Sequence, residues 1–186
     1  CNAGECLSQR VPNPIWSKIW KANVPNKIKV FAWRAGQNAL PTFDNLLRRR
    51  VIENATCSFC QRDEETVLHA LWGCGVAQDV WAGSVVCFQK CGTVFHDFRH
   101  LVEELMVKKT AEEVDLFWVI CWQIWQQRNV VSRGGVLHHP SQLNQHAMDY
   151  LKEYCDAIDH LVVTGSSPGV VTQAWQPPPC LQYKLN

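Results

Sequence analysis

The chain has no long apolar run, no charged-then-apolar leader and no repeat of fixed period, and each absence closes off a class. Its longest apolar run, Leu116 to Trp122, falls far short of the roughly 20 residues that span a bilayer, so no membrane role is expected. The 10 cysteines follow no leader and are irregularly spaced, which suits a reduced compartment, nuclear or cytoplasmic, rather than a secreted disulfide scaffold. Without a repeat it is no solenoid. Nor does any spacing offer a nucleophile, a base and an orienting partner; His138 with His139, or His96 with Cys91, come nearest. Acids are scarce where bases are plentiful. Residues 1–50 carry nine lysines and arginines against only Glu5 and Asp44, whereas residues 51–115 carry five against eleven, and the net charge is +1. A chain so divided can hold a polyanion at one end, although a basic stretch is more often a solvated face.

What is present is a globular composition, 47% hydrophobic and 19% charged, with 9 tryptophans. At 186 residues this fits one domain, or one compact domain with an extended tail. The stretch from Cys57 to Cys74 organises the rest. Its Cys57, Cys60, His69 and Cys74 form a C-x2-C-x8-H-x4-C array, the ligand number and type of a closed structural zinc site. Asp63, Glu64 and Glu65 stand where a helix is expected to begin, ahead of the apolar Val67, Leu68, Leu71 and Trp72. On that helix His69 falls about 140° from the apolar face and is free to meet a metal. An unbroken helix would aim Cys74 about 140° away from His69, so the array predicts that the helix stops near Gly73 in a left-handed conformation. A second spacing, Cys87, Cys91, His96 and His100, is too short in its middle for a C2H2 finger and reads as core cysteines beside surface histidines.

The remaining periodicity predicts an all-α fold: an irregular helical domain with a small zinc-binding turn and an extended C-terminal tail. Residues 1–13 read as loose. A zinc-binding domain spans 14–86, beginning with a short helix whose Ile15, Ile19 and Trp20 face the core. A second helix opens at Pro25, buries Ile28, Phe31, Ala32, Ala35 and Ala39, and is ended by Pro41. A third is capped by Thr42 and has Arg48, Arg49 and Arg50 in its last turn, where cations suit the helix dipole. After the metal array comes a helix from Gly75 through Trp81. A loop covers 87–97, and 98–163 form a helical region: one helix on Phe98, Leu101, Val102 and Leu105, a second capped by Thr110 and apolar all round, hence buried, and a long third from Pro140. Residues 164–186 are a Pro-rich tail leading into an unfinished strand.

Three blocks of residues resemble one known arrangement. From Ile15 to Cys74, followed by the segment ending at Trp81, the chain closely resembles the zinc-binding domain that follows the reverse transcriptase in non-LTR (LINE-type) retrotransposons of plants. The features that carry the resemblance are Trp16 and Trp20, the Pro25, Lys27, Phe31, Trp33 and Arg34 run, Leu40-Pro41-Thr42, Leu46, Arg49 or Arg50, the metal array and Trp81. The block FWVICWQIWQQRN is similar to the helix that follows this domain, and WQPPPCLQYKLN resembles the entrance to the ribonuclease H domain of the same polyproteins. In that last block Cys180 or Leu181 stands where a glycine is expected, and Asn186 precedes any catalytic carboxylate.

The resemblance implies a non-catalytic fragment of a reverse transcriptase/ribonuclease H polyprotein, since ribonuclease H chemistry needs several carboxylates to hold metal. Zn2+ would be structural, held by Cys57, Cys60, His69 and Cys74. The expected partner is RNA or DNA, contacted at phosphates by Lys18, Lys21, Lys27, Lys29, Arg34, Arg48, Arg49 and Arg50 without sequence readout. The alternative is a structural module that docks the polymerase or ribonuclease H domain through exposed tryptophans such as Trp81 or Trp125, with no nucleic-acid contact.

Overall fold

A computed structural model describes residues 14–86, 88 and 94–164, without the side chains of 14 and 161–164. Among these residues the chain is helical, and the only strand-like pairing is an isolated antiparallel bridge between Thr56 and Glu64. The expected loose N-terminus, the cysteines Cys87 and Cys91 and the Pro-rich tail lie outside the described residues. In order the helices are α1 (Pro14–Lys21), α2 (Asn26–Gly36), α3 (Phe43–Arg48), a π-helical turn (His69–Gly73), α4 (Gly75–Ala82), α5 (Phe98–Lys108), α6 (Ala111–Val131) and α7 (Pro140–Thr164).

The helix boundaries follow local chemistry. Pro25 precedes α2, where a missing N–H costs nothing, and Ile28, Phe31, Ala32 and Ala35 are buried as the spacing requires. Thr42 caps α3 by accepting from the Asn45 N–H, and Asp97 caps α5 through the His100 N–H. Thr110 and Glu113 form a reciprocal capping box on α6. That helix buries residues around most of its circumference, Leu116 to Cys121 without interruption. It is the spine of the molecule, with α7 packed along it and α2, α5 and the π-turn against other faces.

The core is aromatic where the metal segment meets the spine. The Trp81 ring stacks on Phe117 at 5.3 Å and 21°, Trp72 lies 5.3 Å from Trp81, and Phe98 stacks on Phe117 at 6.3 Å. Each such pair contributes about 0.5–1.5 kcal/mol beyond the area it buries. Trp81 and Trp125 are therefore core residues, 2% and 5% exposed, and cannot form the docking surface expected of them.

Several expectations are corrected. Trp20 does not face the core; it is 48% exposed, because the short α1 needs only Ile15 and Ile19 to seat it. Helix α2 ends at Gly36, not at Pro41, and Asn38 takes a left-handed conformation (φ 52°) that turns the chain before the proline is reached. Ala39 lies beyond the helix. Helix α3 stops at Arg48; Arg49 is its C-cap and Arg50, at φ 57°, is left-handed, so only Arg48 occupies the last turn.

Candidate metal centre

Four donor atoms, one each from Cys57, Cys60, His69 and Cys74, lie within 4.8 Å of one another. The first two come from a tight turn. Cys57 N–H donates to the Asp63 carbonyl (2.9 Å), Glu65 N–H to that of Ala55 (2.8 Å) and Gln61 N–H to that of Cys57 (2.9 Å), with Gln61 left-handed at φ 52°. This pinned loop holds both thiols on one side.

The other two ligands come from the π-turn, and here the structure departs from expectation in two ways. Helical geometry begins at Val67, not at Asp63 to Glu65, because Thr66 is the true cap: its hydroxyl accepts from the His69 N–H at 3.0 Å. Gly73, moreover, does not adopt a left-handed conformation. Instead the helix widens. Cys74 N–H donates to the His69 carbonyl at 2.7 Å, an i→i+5 bond that fits more residues into each revolution than the 3.6 of an α-helix. Five residues then make little more than one turn, and Cys74 returns to the His69 side before leaving in extended geometry at ψ 140°. The carbonyls freed by the turn are satisfied locally: Leu71 accepts from the Trp81 indole N–H (2.8 Å) and Trp72 from the Gln78 amide (2.5 Å).

The donor distances suit zinc. Tetrahedral coordination with Zn–S of about 2.3 Å and Zn–N of about 2.0 Å places sulfurs about 3.8 Å apart and a sulfur about 3.5 Å from a nitrogen. Here the Cys57 and Cys74 sulfurs are 3.9 Å apart, and Cys60 Sγ is 3.4 Å from His69 Nε2. The other ring nitrogen, Nδ1, lies 4.0 Å from Asp63 Oδ2, an outer carboxylate that favours presenting Nε2 to a metal.

Protons in the cluster are held as a metal site would hold them before loading. The hydrogen bond from Cys57 to Cys74, with burial, pushes the Cys57 thiol up to about 12, and the same bond lowers Cys74. His69 is raised to about 9, chiefly by its hydrogen bond with Cys57 against the opposing effect of burial. A zinc ion would take up the resulting negative charge and release these protons. Three sulfurs and one imidazole leave no position for water, so such an ion would be structural.

One pairing was not visible in the sequence. Glu65, expected at a helix start, is completely buried and ion-paired to Arg128 of α6. The same oxygen, Oε1, accepts from the Phe43 N–H at 3.1 Å, while the Arg128 guanidinium lies over Phe43 (4.5 Å) and Trp125 (5.0 Å). The metal loop, α3 and α6 thus meet at a single carboxylate. With the partners 63 positions apart, no local spacing announces the pair.

The eight basic residues are distributed over several elements. Lys18 donates to the Met106 carbonyl (3.2 Å), Lys29 to that of Trp20 (3.2 Å) and Arg34 to that of Ala39 (3.5 Å). Lys27 lies over the Tyr150 and Trp122 rings, and Arg48 pairs with Asp44 at 3.1 Å. Lys21, Arg49 and Arg50 are exposed. His96 and His100 stack at 5.9 Å; the cysteines that would complete a second cluster with them are outside the described residues.

Residues 5–81 match the family described as zinc-binding in reverse transcriptase. Over 126 residues the chain is 28% identical to a protein of Arabidopsis thaliana whose name marks it as an inferred ribonuclease H protein. The match takes in 63% of this chain and 20% of that relative, so the chain spans about a fifth of the relative's length. No solved structure matches.

Proposed function

We propose, starting from residues 5–81 as a reverse transcriptase zinc-binding domain, that this chain is a non-catalytic module of a non-LTR retroelement polyprotein that grips RNA or DNA through phosphate contacts. Zinc on Cys57, Cys60, His69 and Cys74 holds the C-x2-C loop against the π-turn and supplies folding energy rather than chemistry. The observation that carries the nucleic-acid reading is charge placement. Lys18, Lys21, Lys27, Arg34, Arg48, Arg49 and Arg50 are all exposed, Lys29 is half-buried, and no acid interrupts the chain between Glu5 and Asp44. Lysines and arginines so placed displace counterions from a phosphate backbone and impart no sequence preference.

The test is a salt titration with labelled RNA and DNA. Binding should weaken log-linearly as salt rises, and charge reversal at Lys21, Arg49 and Arg50 should flatten the slope. A chain that binds neither nucleic acid at low ionic strength is not a nucleic-acid module, and a docking role beside polymerase or ribonuclease H domains would take its place.

A further inference from the structure

The α1–α2 hairpin combines two features that the fold itself does not use. The first is a stretch of chain without acids: Asp44 is the first carboxylate side chain after Glu5, and between them stand Lys18, Lys21, Lys27, Lys29 and Arg34, with Asp115 of α6 the carboxylate that reaches the connecting loop, at the Asn23 N–H. The second is a pair of tryptophans outside the core. Trp20 is 48% exposed and Trp33 is 40% exposed, and neither enters any ring or cation contact among the described residues. By contrast Trp72, Trp81, Trp118, Trp122 and Trp125 all sit in such contacts.

Packing brings together the two helices that carry the rings, Trp20 on α1 and Trp33 on α2. The helices run antiparallel across the loop 22–25, registered at one end by the Trp16 ring, which would stand 3.0 Å from a Cβ on Gly36, and at the other by Lys29 Nζ on the Trp20 carbonyl. Trp33 falls between these two points, one turn beyond Lys29. It projects away from the stripe of Ile28, Phe31, Ala32 and Ala35 that seats α2 in the core. Val30, 44% exposed, lies beside it on the outer face.

The part of each indole left in water costs free energy that folding does not recover, and a purely solvated basic face has no need of it. Aromatic faces within a positive surface are what unpaired bases require: the ring stacks on the base while the cations track the backbone. In a duplex the base faces are already stacked on each other and cannot use such a surface. We infer that Trp20 and Trp33 are stacking platforms for single-stranded nucleic acid, flanked by Lys21, Lys29 and Arg34 at its phosphates. This rests on the nucleic-acid reading above and narrows it to unpaired strands.

The zinc-loaded full chain is titrated with labelled oligouridine RNA, oligothymidine DNA and a duplex of equal length. Trp20→Ala and Trp33→Ala should each weaken single-strand binding by about 5- to 150-fold, leave duplex binding and the salt slope unchanged, and be rescued by Trp→Phe. The RNA and DNA arms show which strand is preferred. Independently, a 5-iodouracil strand photocrosslinked to the unmutated chain should label Trp20 or Trp33 on peptide mapping. If both alanine variants bind single strands as the parent does, or crosslinks map only elsewhere, the stacking role is wrong while the phosphate grip survives. If the parent chain binds no nucleic acid at low salt, both readings fall together.

Discussion

Replacing Arg128 with leucine removes one member of a buried ion pair and strands the other. Glu65 is completely buried and the Arg128 side chain is 6% exposed, so solvent cannot take over the lost role. After the change the Glu65 carboxylate would keep only the Phe43 N–H, at 3.1 Å, and no compensating charge. Breaking a buried pair in this way costs about 3–5 kcal/mol, a large part of the roughly 5–15 kcal/mol that holds a domain together. Removing both charges behaves differently. In Glu65→Leu with Arg128→Leu the buried charge is gone and the main remaining cost is the orphaned Phe43 N–H, about 1–3 kcal/mol. The double variant should therefore be more stable than Arg128→Leu alone, a sign reversal that independent sites cannot produce. Urea unfolding of the zinc-saturated chain, followed by circular dichroism, measures these two variants and Glu65→Leu alone. A loss below about 1 kcal/mol for Arg128→Leu, or additive effects in the double variant, would refute the buried pair.

Zinc affinity should rise with pH. The metal binds thiolates and a neutral imidazole, whereas Cys57 holds its proton up to about 12 and His69 up to about 9, so below about pH 9 each gives one up on loading. Chelator competition should show an affinity slope of about two decades per pH unit or steeper there, easing once His69 is neutral; a flat profile contradicts the ligand set. Gly73→Ala should be harmless. An added Cβ would come no closer than 3.9 Å to any neighbour and the backbone there is not left-handed, so stability should hold or gain up to about 1 kcal/mol, with zinc retained. Loss of metal in a calorimetric titration of that variant would restore the glycine stop inferred from sequence.

That glycine shows where sequence reasoning reached its limit. The four ligands could be read from spacing because C-x2-C, a helical histidine and a later cysteine are local patterns, and the requirement that the helix change near Gly73 followed from 100° per residue. The means could not be read, since a stop and a widening bring Cys74 back equally well. Caps were visible for the same reason: Thr42 and Thr110 act over three residues. Thr66 was masked by the acidic run before it, which looked like a helix start. Burial around α6 was predicted by its unbroken apolar circumference, yet its link to the metal loop through Arg128 depends on contacts across 63 residues that no periodicity encodes. Trp20 was misplaced because amphipathic spacing assigns every tryptophan to a core, and only packing reveals that α1 is already seated by Ile15 and Ile19.

The most direct measurement is zinc content together with X-ray absorption at the zinc edge on the purified chain. One zinc per chain is expected, with three sulfurs at about 2.3 Å and one nitrogen at about 2.0 Å, and with metal lost in Cys60→Ser. A chain that folds without zinc, or one whose zinc has fewer than three sulfur neighbours, would contradict it.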